Sequence, residues 1–265
     1  MTGTLPPIET GSVLPRIESF LVDALAQPGL RNGIVGLSGG IDSAVAAALL
    51  VRAVGSERAR FIYMPHAISS RENAEDARDA AALLGVDLIE VPITGMTGGY
   101  PGFDQLDNIR AGNLMARMRM AILYDLSVEH EALVIGTSNR TEILLGYGTL
   151  FGDTACAVNP IGDLYKTWLR ELAVVLGIPE SIRLKAPSAD LWVGQTDEDE
   201  LGVDYATADR ILYHLVEEEL PADRIAAIGF DADLVNGIRE RMERNAYKRR
   251  LPEICRLFGE PDVPR

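Results

Sequence analysis

Short apolar runs alternate along the first half of the chain with segments whose apolar positions recur three and four residues apart. Residues 33–37 (GIVGL) read as a short buried strand. Residues 41–54 follow, continuous in Ala, Val and Leu, and predict a helix packed against a sheet. Residues 59–64 (ARFIYM) form the next predicted strand, which Pro65 stops. A helix is predicted over 70–84, with Ser70 as its cap, acidic residues near its start and Gly85 closing it. Residues 87–91 give a third strand. Residues 106–129 give a long helix, with Leu114, Met118, Ala121, Ile122 and Asp125 near helical spacing. Residues 132–136 (ALVIG) give a fourth strand. This alternation implies an α/β fold, a doubly wound and mostly parallel sheet with helices on both faces. Ligands of such sheets bind at the carboxyl ends of the strands, near the switch in strand order.

The second half is less regular. Residues 166–176 predict a helix ended by Gly177 and Pro179. Residues 188–202 read as a mobile loop and a candidate lid. Within it, the acidic run 197–200 reads as a solvated helix start capped by Thr196. Residues 205–219 and 231–247 read as helices. No linker rich in Pro, Gly or Ser divides the chain, so one domain is expected over 1–265, with a helical C-terminal extension.

Composition narrows the class. Of 265 residues, 47% are hydrophobic and 24% charged, ordinary globular values that argue against a mainly disordered chain. The longest apolar run, 44–51, ends at Arg52, well short of the roughly 18 residues of a membrane span. Residues 1–11 have no basic residue and no apolar core, unlike a secretory signal. Cys156 and Cys255 have no spacing for a disulfide framework or a zinc site, so a reducing cytoplasmic setting is expected. The net charge of −14 repels nucleic acid and anionic membranes, and neither is expected as a partner. An anionic substrate then needs local positive charge. Arg241, Arg244, Lys248, Arg249 and Arg250 cluster against the overall trend, as such a site or as a solvated helix face.

The strongest chemical signal is Ser38-Gly39-Gly40-Ile41-Asp42-Ser43, directly after the first strand and opening a helix. Unpaired N–H groups and the dipole at a helix N-terminus bind phosphate, and glycines let the backbone approach it. Ser38 and Ser43 add hydroxyl donors. Asp42 would repel phosphate by itself and makes most sense as a magnesium ligand. The Gly-Lys-Ser/Thr ending of a Walker loop is missing, and Gly33, Gly36 and Gly39 have the wrong spacing for a dinucleotide fingerprint. His66, His130 and His214 form no metal-binding pattern, although His66 follows the second strand and could approach a nucleotide there.

The string resembles the pyrophosphate-binding loop of the ATP pyrophosphatases, which cleave ATP between its α and β phosphates. Further motifs follow in order: Gly136-Thr137-Ser138-Asn139-Arg140-Thr141-Glu142, Gly146-Tyr147-Gly148-Thr149, Phe151-Gly152-Asp153, and Asn159-Pro160-Ile161-Gly162-Asp163-Leu164-Tyr165-Lys166-Thr167. Lys185-Ala186-Pro187-Ser188-Ala189-Asp190-Leu191, Gln195-Thr196-Asp197-Glu198 and Glu200-Leu201-Gly202 complete the series. Together, over about residues 12–255, these resemble the NAD synthetase family. With no room for a glutamine-hydrolysing domain, the resemblance is to the ammonia-dependent form.

The resemblance implies an adenine nucleotide alpha hydrolase-like fold and an ATP-dependent amidation of deamido-NAD by ammonia through an adenylate. It implies that Gly36, Leu37, Ser38, Gly39, Gly40, Ile41, Asp42 and Ser43 hold the ATP phosphates, with Thr137, Lys166 and Ser188 also on ATP. Asp42 and Glu142 would carry Mg2+, and Lys166 would offset charge as pyrophosphate leaves. Asp153 would serve the ammonia step as ammonium binder or proton acceptor. Arg117, Tyr247 and Lys248 would contact deamido-NAD, although Tyr247 stands where the family often has His. Many bacterial members carry Lys where Leu150 stands, and Gly-Gly-x-Asp where Thr154-Ala155-Cys156-Ala157 stands. The Leu-Phe-Gly-Asp-x-Ala-Cys-Ala pattern marks a sub-group, in which Cys156 reads as a small packing residue. Family members are homodimers with deamido-NAD at the interface. The apolar residues of the 106–129 helix could supply that contact or belong to the core. Two rival readings are another ATP pyrophosphatase-type enzyme and a nucleotide-binding subunit without substrate chemistry.

Overall fold

Ile34 and Val35 are both fully buried yet belong to separate clusters on the two faces of one sheet, and this sets the layering. The computed structural model describes residues 5–188, 190–192, 194–250, 252–255 and 257. The elements run α1 (Thr10–Ala26), β1 (Asn32–Gly36), α2 (Ile41–Val54), β2 (Ala59–Tyr63), α3 (Arg71–Leu83), β3 (Leu88–Glu90), α4 (Thr94–Gly98), α5 (Asn108–Glu129), β4 (Ala132–Val134) and α6 (Arg140–Leu145). The remainder is helical: α7 (Lys166–Val175), α8 (Glu180–Leu184), α9 (Asp197–Leu201), α10 (Tyr205–Val216), α11 (Ala222–Ala227) and α12 (Ala232–Arg244).

The four strands lie in the order β3-β2-β1-β4, and every pairing is parallel. Ile34 pairs with Arg60 on one side and Val134 on the other. An isolated parallel bridge from Ile135 to Val158 lies beyond β4. From β1 the chain steps outward to β2 and β3, then returns to place β4 on the opposite side. The switch point therefore lies between the carboxyl ends of β1 and β4.

Val35, Phe61 and Tyr63 pack with α1, α2, α3 and α7 on one face. Ile34, Ile62 and Val134 pack with Met115 and Leu123 of α5 on the other. The continuous apolar character of α2 follows from its position: Ala44 to Leu50 are all buried between the sheet, α1 and α7. A third cluster joins Leu145 of α6, Tyr165, Ile211 and Leu212 of α10, Ile225 of α11 and Val235 and Ile238 of α12. This is the helical C-terminal part.

Caps set several boundaries. Ser70 Oγ accepts from Asn73 N at 3.0 Å, so α3 starts at Arg71. Asp107 Oδ1 accepts from Arg110 N at 2.8 Å, which moves the start of α5 from 106 to Asn108. Helix α1 was not expected, since Gly11 and Pro15 interrupt its first turns, yet Leu14, Ile17, Leu21 and Leu25 carry a helical stripe into the core. Residues 197–201 of the expected loop 188–202 form α9. Ala189 and Val193 of that segment lie outside the described residues. Among the described residues no helix is long and apolar enough to cross a membrane.

Candidate active site

The turn between β1 and α2 is held by its own serines. Ser43 Oγ accepts from Ser38 N at 3.1 Å and donates to the Gly40 carbonyl at 2.9 Å. Ser38 Oγ lies 3.1 Å from Ser43 Oγ and accepts from Gly40 N at 3.3 Å. Gly39 has φ +86°, and a Cβ there would fall 2.2 Å from the Asn73 carbonyl oxygen of α3, so the position excludes any side chain. No side chain caps α2, which leaves its first-turn N–H groups for a ligand at the switch point.

Three elements converge opposite this turn. Asp42, in the first turn of α2, accepts from Lys166 Nζ at 2.5 Å on Oδ2 and from Asn139 Nδ2 at 2.8 Å on Oδ1. Asn139 caps α6 reciprocally with Glu142: its Oδ1 accepts from Glu142 N at 3.0 Å, and Glu142 Oε2 accepts from Asn139 N at 3.2 Å. Glu142 Oε1 lies 3.4 Å from Lys166 Nζ. The Lys166 side chain is 1% exposed, and Nζ sits 4.9 Å from the centroid of the Tyr205 ring. A cation in the first turn of a helix opposes the dipole, and here two carboxylates compensate it. Burial works against the charge of Lys166, but Asp42 and Glu142 outweigh it, so the ammonium is held well into its charged range. Burial, then the charge of Asp42, push the Glu142 carboxyl up to about 8, with Lys166 opposing.

Beneath this cluster lies Asp209 of α10, fully buried. It accepts from Thr141 Oγ1 at 2.5 Å, from Thr167 N at 2.7 Å and from Thr167 Oγ1 at 2.6 Å. Lys166 N also donates to Thr141 Oγ1 at 3.0 Å. Thr141 and Thr167 adjoin Glu142 and Lys166 in sequence, so one carboxylate ties together the starts of α6 and α7. Sequence reasoning passed over Asp209. The available signal was an acidic residue among the apolar positions Ala208, Ile211 and Leu212 of one helix.

The solvated reading of Asp197 does not hold. Asp197 is buried and accepts from the hydroxyls of Tyr147, at 2.9 Å, and Tyr205, at 3.0 Å. Thr196 does cap α9, accepting from Asp199 N at 3.2 Å. The helix start is as expected, but its first residue turns inward because two phenols satisfy it.

Asp42, Glu142, Lys166, Tyr147 and Asp197 line a cleft of about 740 Å³ that also takes in Gly36, Thr137, Asp153, Ser188 and Lys248. Asp153 Oδ1 accepts from Thr149 N at 2.8 Å, and burial raises its pKa. Lys248 Nζ donates to the carbonyls of Gly146 and Gly148 at 2.8 and 2.9 Å. Of the basic cluster, Arg241 and Lys248 face the cleft, whereas Arg249 donates to the Leu144 and Met242 carbonyls. Arg117 and Tyr247 do not line the cleft. Arg117 is exposed and donates to the Leu150 carbonyl at 3.2 Å, and Tyr247 is 59% exposed. His66 stays outside as well, with Nε2 2.9 Å from Thr97 Oγ1 and its ring against Phe103. Cys156 packs against Gly136, where an added Cβ would meet Sγ at 2.6 Å, and burial raises its thiol pKa. Lys185, paired with buried Asp76, and Arg119 also line the cleft, and sequence reasoning gave neither a role.

A parallel sheet with a serine–glycine phosphate turn at its switch point, and no Walker lysine, defines a nucleotide-binding α/β protein of the adenine nucleotide alpha hydrolase-like class. The family model for NAD synthase matches residues 13–252, and the chain belongs to that family. It is 46% identical, over 244 residues, to an NH(3)-dependent NAD(+) synthetase of Pelodictyon phaeoclathratiforme, covering 92% of this chain and 88% of that protein. Its fold matches the NMN synthetase of Francisella tularensis with TM-score 0.82 and 30% identity, covering 95% of this chain and all (100%) of that one. It matches the NH3-dependent NAD synthetase of Campylobacter jejuni with TM-score 0.79 and 32% identity, covering 94% and 100% of the two chains.

Proposed function

We propose that this protein makes NAD(+) by amidating deamido-NAD(+) with ammonia at the expense of ATP, releasing AMP and pyrophosphate. The observation that carries this reading is the convergence of the serine–glycine turn with Asp42, Glu142 and Lys166 in one cleft. A carboxylate is a poor acyl donor to an amine, because it has no good leaving group. Attack of the nicotinate carboxylate on the α-phosphorus of ATP expels pyrophosphate and leaves an acyl adenylate. Ammonia then attacks the acyl carbon and AMP departs. The turn from Gly36 to Ser43 holds the phosphates through backbone N–H groups and serine hydroxyls, with Thr137 and Ser188 at the rim. Lys166 offsets the charge that develops on the leaving pyrophosphate. Asp153, in the wall of the cleft, takes the ammonium ion or its proton.

Asp42 and Glu142 fit Mg2+, which usually takes one or two carboxylates together with substrate phosphates. The donor set agrees: two carboxylates face the phosphate turn, and among the described residues no cluster of three or more His, Cys, Asp or Glu forms a closed cage. Bound there, the ion would neutralise phosphate charge.

Lys248 would meet deamido-NAD inside the cleft. Arg117 and Tyr247 reach it only if the ligand extends over the outer surface, as at a subunit interface. A homodimer is therefore part of the proposal, supported by the exposed apolar residues Ile109, Tyr124 and Val128 of α5 and Phe151 nearby in the turn that Arg117 touches. Residues 1–265 would act as one domain, because the helical cluster contains Leu144 and Leu145 of α6, which carries Glu142, and Trp168 of α7, which carries Lys166. A cytoplasmic location fits two free cysteines.

The test is direct. The purified protein is incubated with Mg-ATP and deamido-NAD, with ammonium or glutamine, and NAD, AMP and pyrophosphate are quantified. Stoichiometric NAD and AMP with ammonium, and little with glutamine, is the expected result. No NAD with either donor would refute the reading. Nicotinate mononucleotide, offered in parallel, shows whether the acyl substrate must be a dinucleotide.

A further inference from the structure

Arg119 is a cation that the proposed chemistry has not yet used. It lies on α5 two residues after Arg117, and two residues turn a helix by about 200°. Arg117 therefore faces outward and Arg119 faces the cleft. Its Nε donates to the Met64 carbonyl at 3.0 Å, just past the carboxyl end of β2. That bond fixes the plane of the guanidinium and leaves both Nη nitrogens without a hydrogen-bond or ion-pair partner among the described residues. The carboxylates that act on it through space, Asp190 and Asp153, are already engaged by Ser70 N and Thr149 N.

Arg119 is half-buried, its one hydrogen bond goes to a neutral carbonyl, and it lines the cleft, so its fork is placed to receive an anion there. Arginine keeps its charge in such a site. Its place in the cleft indicates which anion. Met64 also touches Gly36, at the end of β1 where the phosphate turn begins; an added Cβ there would lie 3.2 Å from Met64 Cε. The turn opens onto α2 on one face of the sheet, and Arg119 comes from α5 on the other. The two positive features thus flank the switch point from opposite faces.

We infer that Arg119 binds an anionic oxygen of a nucleotide substrate in the cleft, its planar fork receiving the nicotinate carboxylate of deamido-NAD or a phosphate of ATP. This rests on the proposed amidation, in which a carboxylate must approach a triphosphate and a cation between them offsets their repulsion.

Full-length Arg119→Gln and Arg119→Lys are compared with the unmodified protein. KM is measured for ATP and for deamido-NAD, each with the other saturating, together with kcat and the melting temperature. Arg119→Gln is expected to raise one KM by roughly tenfold or more. Arg119→Lys should recover only part of it, because a point charge replaces a fork. A rise confined to deamido-NAD identifies the carboxylate; one confined to ATP identifies a phosphate. Unchanged KM values for both substrates, whatever kcat does, would overturn the inference. So would equal losses in both variants that follow the melting temperature. If the unmodified protein makes no NAD, the amidation reading fails by itself. Calorimetric titration of ATP and deamido-NAD into the unmodified protein and Arg119→Lys then decides: weaker binding of either ligand supports Arg119, and equal binding refutes it.

Discussion

Lys166 and Asp42 stand 124 residues apart in the chain, yet Nζ of one lies 2.5 Å from Oδ2 of the other. The contact joins the first turns of α7 and α2, so the cation meets the helix that opens the phosphate turn. With Glu142 also beside it, Lys166 offsets the charge of Asp42 next to a second acidic side chain in a largely buried place.

Lys166→Gln should separate the two consequences of that contact. With the ammonium gone, the Asp42 carboxylate is left in a largely buried place without its cation, and stability should fall by about 3 kcal/mol in urea melts at neutral pH. Lowering the pH toward 5 should restore part of it. Turnover should fall by about 100-fold or more, since charge on departing pyrophosphate is no longer offset. Asp42→Asn in the same background should recover stability but no activity.

Glu142 predicts a pH dependence with a definite sign. Its carboxyl is held up to about 8 against an ordinary value of 4.5. The folded protein thus holds a proton that the unfolded chain has lost, and the metal-free protein should lose stability as pH rises between these values. Lys166 adds no slope there, since its raised pKa acts only above the ordinary lysine range. Melting temperatures from pH 6 to 8.5 should fall, and Glu142→Gln should flatten the curve. Because a metal ligand must be deprotonated, Mg-ATP should release a proton at pH 7 and less at pH 9. Calorimetry in buffers of different ionisation enthalpy measures both.

Asp209→Asn should disturb the site without touching a ligand. The new amide meets three donors, the hydroxyls of Thr141 and Thr167 and the Thr167 N–H, where a carboxylate accepted all three. An unsatisfied buried donor costs about 1–3 kcal/mol. A shift of α6 against α7 misplaces Glu142 and Lys166, and an error of about 1 Å can cost on the order of 100-fold in rate. The expected result is a large fall in kcat with a small change in the KM for deamido-NAD.

Gly39→Ala tests the phosphate turn. The substitution forces a side chain into φ +86° and into the Asn73 carbonyl at 2.2 Å. The backbone term alone costs about 1–2 kcal/mol. ATP binding, followed by calorimetry, should be lost because the turn must move away from α3.

Cys156→Ala should leave turnover within about twofold and lower stability by about 1 kcal/mol. Its thiol packs on Gly136, and burial raises its pKa, so it has no nucleophilic character to lose. Unchanged kcat with a lower melting temperature is the expected pair.

Much of this architecture is legible in local pattern. The bounds of α2 agree with the expected 41–54, because an apolar run begins at a glycine turn and ends at Gly55. The phosphate turn falls where glycines, serines and a preceding strand require it. Less is legible where a residue's role depends on a distant partner. Asp197 sits in an acidic run that reads as solvated, and only Tyr147, 50 residues away, and Tyr205 make its burial affordable. Arg117 and Arg119 are equivalent in composition and differ only in the direction each faces.

The sequence by itself determined the strand–helix alternation over 33–136, the helix start capped by Ser70, and the turn chemistry at 38–43, since these depend on neighbours a few residues away. The tertiary structure decided which charges meet. Asp42 reaches Lys166 across 124 residues, and Asp209 reaches Thr141 across 68 and Thr167 across 42. No periodicity encodes such distances. They follow from the return of the chain that places β4 beside β1, and from the packing of α10 beneath α6 and α7, where buried charges persist only with partners.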